Sequence, residues 1–104
     1  MNKSATPLER AWMGEFKRLP CVICTRITPG GGITEVHHIA EGTAPQNNWL
    51  IAPLCEEHHR GGAGLHGMGT KAFLRLYRPP HESEYGLMAW ALEDYARFTQ
   101  KAKG

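Results

Sequence analysis

All three cysteines of the chain and five of its six histidines fall between Cys21 and His66. Cys21-x2-Cys24 and, further along, Cys55-x2-His58 offer four ligands on two knuckles, the set that Zn²⁺ takes tetrahedrally in a closed structural site. Setting these aside leaves His37, His38, His59 and His66. Surplus imidazoles beside a rigid knuckle point to a second, open metal site, and open sites do chemistry.

The elements that must hold these residues can be read on either side of them. Thr6-Pro7-Leu8-Glu9 has the form of a helix start, with Thr6 as N-cap, Pro7 at the first helical position and Glu9 completing a capping box. Leu8, Trp12, Phe16 and Leu19 then form an apolar stripe, and Pro20 ends the helix. The Cys21–Cys24 knuckle leads into Pro29-Gly30-Gly31-Gly32, a flexible turn. A strand is expected over 33–39, with Thr34, Val36 and His38 on one face and Glu35, His37 and Ile39 on the other, so that both histidines reach one pocket only if the strand ends or bulges there, and that irregularity is expected. A polar loop over 40–48 precedes a second strand over 49–54. Cys55 to His59 suits a single helical turn, broken by Gly61, Gly62 and Gly64. A further helix begins near Thr70, whose hydroxyl can cap it, and buries Phe73, Leu76 and Tyr77 before Pro79-Pro80. A last helix over 83–101 carries Leu87, Ala91, Tyr95 and Phe98, widened by Met88 and Leu92 into a stripe broad enough to support a dimer.

With 104 residues, 41% of them hydrophobic, the chain suits one small domain with a modest core, in which zinc binding supplies folding free energy. An odd cysteine count fits metal ligation in a reducing compartment better than a disulfide framework. The first ten residues lack the apolar run of a signal peptide, and the stretch over 49–55 is too short to span a membrane, so a soluble, cytoplasmic protein is expected. The net charge of +2 permits a nucleic-acid partner without demanding one. Basic residues nevertheless collect at Arg10, Lys17, Arg18 and Arg26 before the histidines and at Arg60, Lys71, Arg75 and Arg78 after them.

Cys21-x2-Cys24, His37-His38-Ile39, Asn47-Asn48 and Pro53-Leu54-Cys55-x2-His58-His59, taken together, resemble the HNH, or ββα-metal, endonucleases. The Pro-Leu-Cys-x2-His-His-Arg-Gly run followed by Gly-Leu-His-Gly is most similar to the phage recombination-enhancement (Ref) type, a RecA-dependent nuclease. The resemblance covers residues 21–78, and the terminal helices add nothing specific to it. It implies an α+β fold: a small zinc-stabilised hairpin-plus-helix core over 21–78, flanked by an N-terminal helix over 1–20 and a C-terminal helix over 79–104. It implies DNA as partner, with a RecA filament presenting it, in a bacterial host or phage setting. His38 takes the place of the general base, one of Asn47 and Asn48 that of the asparagine, and His37 and His59, with His66, those of the ligands of a single catalytic divalent ion. Asn48 and His59 join His38 as the catalytic set, while Cys21, Cys24, Cys55 and His58 hold the structural zinc.

Phosphodiester hydrolysis asks for such parts. Water must lose a proton near neutral pH, which suits imidazole, and charge grows on the phosphate and leaving oxygens, which suits a cation and an arginine such as Arg60 or Arg75, or Lys71. With His37 where the family has an acidic ligand, the site is less anionic, which disfavours Mg²⁺ and favours Zn²⁺, Ni²⁺ or Mn²⁺. His66, in a glycine-rich loop, is either a ligand or a phosphate or solvent contact, and His81 is a surface residue. A zinc-stabilised nucleic-acid or protein binding module would explain the knuckle and leave four histidines without a role.

Overall fold

Thr6 accepts the backbone N–H of Glu9 on its hydroxyl while the Glu9 carboxylate accepts that of Thr6, so the capping box forms as its sequence dictates and opens α1, Pro7–Lys17. The computed structural model describes residues 5–42 and 47–103, which leaves the middle of the polar loop expected over 40–48 outside the described residues. After α1 come α2 (Val22–Arg26), the strands β1 (Thr34–His38) and β2 (Ile51–Cys55), three short helices α3 (Glu56–His59), α4 (Leu65–Met68) and α5 (Thr70–Tyr77), and the long α6 (Glu84–Lys103). This is a small α+β arrangement with one two-stranded antiparallel sheet. No helix among the described residues is long and apolar enough to cross a membrane.

The hairpin is regular from Thr34 opposite Cys55 to His38 opposite Ile51. β1 therefore ends at His38 without a bulge, and the alternation keeps His37 and His38 on opposite faces. β2 is buried at all five positions, so it forms the spine of the core. α1 packs on both strands, and α2, α3 and α6 pack on β2. Phe16, Ile23, Ile51, Leu54, Leu65, Phe73 and Leu87 meet in one apolar cluster.

Several apolar positions fall outside it. Leu8 is 73% exposed, because the packed part of α1 begins only at Trp12. Leu76 is exposed and Leu74 takes its buried place on α5; Leu92 and Phe98 are likewise exposed on α6. Thr70 does not cap α5, whose N-cap is Gly69. On α6 the buried line instead includes two acids, Glu84 and Asp94.

Arg26 belongs to that inner network and not to a basic surface. Its guanidinium donates to Asp94 at 2.8 Å, to Glu93 at 3.0 Å and to the Trp90 carbonyl at 3.3 Å, and lies 5.1 Å from the Trp90 ring centre. Asp94 is fully buried, so this pair ties α2, inside the Cys21–Cys24 knuckle, to α6. Removing one partner of a buried pair strands the other charge. Arg26→Ala is therefore expected to cost about 3–5 kcal/mol, whereas Arg26→Met combined with Asp94→Leu should recover most of it. Urea unfolding of the two variants measures the difference.

Candidate metal centre and active site

The first site is built where the hairpin's exit meets α2. Cys21 is the N-cap residue of α2, Cys24 lies within it, and Cys55 is both the last residue of β2 and the N-cap of α3. One turn on, His58 turns its Nδ1 to within 3.6 Å of Cys21 Sγ, 3.6 Å of Cys24 Sγ and 3.3 Å of Cys55 Sγ. Cys24 and Cys55 sulfurs are 3.7 Å apart. Burial pushes the Cys21 thiol up to about 12 and raises Cys24 as well, while it lowers His58 and keeps that imidazole neutral. Three sulfurs this close can all ionise only around a cation, and a neutral ring nitrogen completes the donor set, so the four residues can hold a zinc ion.

The glycine turn is part of this site. Gly30 donates its N–H to Cys24 Sγ, and a Cβ at Gly30 would stand 2.7 Å from His58 Cε1 and 2.8 Å from Cys55 Sγ. The Gly31 and Ile33 carbonyls accept the N–H groups of Glu57 and Glu56, so the segment read as flexible is pinned over α3.

A second cluster takes the next residue of α3. His37, His59 and His66 bring their nitrogens within 4.8 Å of one another, from β1, α3 and α4 respectively. Gly64, whose added Cβ would stand 2.5 Å from the Glu57 carbonyl, lets the loop turn back so that α4 can deliver His66. Two of the rings are held by carboxylates. His37 Nε2 lies 2.7 Å from Glu84 Oε2, both residues buried, and Glu84 Oε1 accepts the N–H groups of Ala40 and Glu41. Burial alone would raise the Glu84 carboxyl, but these hydrogen bonds bring it below its ordinary value. His59 Nδ1 lies 2.8 Å from Glu35 Oε1. Arg60, and then His59, hold the Glu35 carboxyl down to about 2, and burial lowers His59 despite that partner. The anchored nitrogens fix the tautomers, leaving His37 Nδ1 and His59 Nε2 as lone-pair donors beside His66.

His38 faces the other way. Its Nε2 lies 2.8 Å from Asn48 Oδ1, and Asn48 Nδ2 reaches Glu9 Oε1 at 3.4 Å. Asn47 spends its side chain on the Trp49 N–H, which separates two asparagines that sequence alone cannot. With Nε2 donating to the amide oxygen, Nδ1 of His38 is the basic nitrogen. His38 and His59 line one groove of about 550 Å³ between α1 and β1, which Lys17 and Arg60 also border.

The sequence missed the three carboxylates and the part played by the terminal helices. Glu9 comes from α1 and Glu84 from α6. Glu35 shared its strand face with His37 and was open to notice; Glu84 sat in the apolar line of α6, where an acid is a signal in itself. Arg60 is engaged by Glu35 and Glu56, so it braces the His59 side, and neither Lys71 nor Arg75 borders the groove. His81 is exposed.

Stripping metal with a strong chelator should lower the melting temperature by well over 10 °C, since zinc binding and folding are coupled in so small a domain. Gly30→Ala should weaken zinc retention in a competitive chromophoric chelator assay, because the methyl group enters the space between His58 and Cys55.

No curated protein and no solved structure matches the chain. A family model described as recombination enhancement, RecA-dependent nuclease, does match. That match runs over residues 5–81, taking in α1 as well as the knuckles and the hairpin, and the chain belongs to this family of nucleases.

Proposed function

We propose that the chain is a metal-dependent endonuclease of the HNH, or ββα-metal, type, hydrolysing DNA phosphodiester bonds in phage or prophage recombination on DNA that a RecA filament presents. The observation that carries this reading is the pairing of an oriented imidazole, His38 on Asn48, with a three-histidine cluster one of whose members, His59, lines the same groove. A binding module leaves these four imidazoles, and the carboxylates that orient them, without a purpose.

His38 Nδ1 takes the proton of the attacking water. Asn48 holds the ring by its Nε2 proton, so the nitrogen that faces substrate is the unprotonated one, and Glu9 steadies the amide. His37, His59 and His66 offer three ring nitrogens and leave the remaining positions open, as a catalytic site requires. A divalent cation bound there supplies charge to a scissile phosphate oxygen and to the leaving oxygen. Glu84 and Glu35 give the imidazoles anionic character from behind and compensate for the missing acidic ligand. Zn²⁺, Ni²⁺ and Mn²⁺ suit such a ring better than Mg²⁺.

Purified protein should nick plasmid DNA when one of these metals is added together with RecA-coated single-stranded DNA. His38→Ala should lose about 10²–10⁴-fold in rate while its DNA affinity stays unchanged. Absence of nicking under every one of these conditions would sink the nuclease reading. Glu84→Gln should lower the affinity of the second metal about 10–100-fold and leave the first in place, which metal titration followed by mass spectrometry of the native protein reads directly.

A further inference from the structure

The groove that His38 and His59 share is more apolar than a phosphate track needs to be. Met13 from α1 lines it with Val36 and Ile33, the last 70% exposed, and Thr34 and Glu35 share that wall. At its edge Lys17, in the last turn of α1, makes no ion pair among the described residues, whereas Arg60 is held by Glu35 and Glu56.

The outside of a DNA duplex offers hydrated phosphates and sugars, and laying those on aliphatic side chains costs desolvation with nothing in return. The apolar surface of DNA is the face of a base, which is uncovered only when the base leaves the stack. A groove of about 550 Å³ falls in the range that holds a ligand of nucleotide size. We propose that this groove seats one unpaired nucleotide next to the scissile phosphate, its base against Met13, Val36 and Ile33 and its phosphate on Lys17. Every base has such a face, and Met13, Val36 and Ile33 carry no side-chain hydrogen-bonding group, so stacking on them selects unpaired DNA without selecting sequence. The identity of the ligand rests on the nuclease reading; the shape and polarity of the seat do not.

The test is binding of a short fluorescein-labelled single strand and of a hairpin duplex of the same sequence to the unsubstituted protein loaded with one equivalent of zinc, so that no second metal supports cleavage, followed by anisotropy. The single strand should bind roughly tenfold more tightly. Ile33→Asn should abolish that preference, and Lys17→Ala should weaken both complexes several-fold and flatten their salt dependence. Both residues are exposed, and melting curves of the variants confirm that the fold is kept. Equal affinity of the parent for the two DNAs, or a preference that survives Ile33→Asn, overturns the proposal. Plasmid nicking by the unsubstituted protein reads the other question: nicking without the preference sinks the seat alone, and the preference without nicking sinks the nuclease alone.

Discussion

Helix α3 is four residues long, too short to persist through its own hydrogen bonds. Yet Cys55 at its start and His58 within it complete one donor set, while His59, the next residue, turns to the other cluster. Rotation of this turn by one residue, about 100°, would carry at least one of the two histidines away from its cluster. What fixes the rotation is the crowding of three thiols and one imidazole around a point where only a cation can relieve them. The glycine turn packed above, the glycines that end the helix below, and the return of the chain through α4 to His66 all follow from keeping that turn in place.

Around this pivot the hairpin performs a division of labour that strand periodicity makes cheap. Adjacent residues on β1 face opposite sides, so His37 joins the three-histidine ring while His38 looks into the groove, each braced by a different element. The bracing residues come from both ends of the fold: Glu9 on α1 and Glu84 on α6, with Glu35 from the strand itself. A ring of neutral imidazoles attracts cations less strongly than a ring containing an aspartate, and carboxylates hydrogen-bonded to the far nitrogens restore part of that attraction. Arg60 in turn keeps Glu35 ionised and in position.

What could be read from the sequence was whatever depends on short spacings. The two knuckles, the capping box at Thr6, the arrest of α3 by glycine and the faces of β1 each rest on residues within a few positions of one another, and each has the form its spacing dictates. Contacts across the chain have no such signature. Glu84 meets His37 across 47 residues, Asn48 meets Glu9 across 39 and Arg26 meets Asp94 across 68. The apolar stripes were read as longer than they are, because periodicity marks a face without showing where its partner ends; hence the exposure of Leu8, Leu76 and Phe98. Arg26 looked like surface charge because nothing nearby in sequence betrays a buried acid on the last helix.

The buried contact between His37 and Glu84 joins an early strand to a late helix. Both knuckles and the hairpin precede Glu84 in the chain. A chain that stops before α6 keeps the three thiols and His58, but its His37 ring has no carboxylate to hold its tautomer. The alignment of the second ligand set thus depends on the last helix, and a truncated chain ending before α6 would keep every donor of both clusters while leaving the second set unaligned.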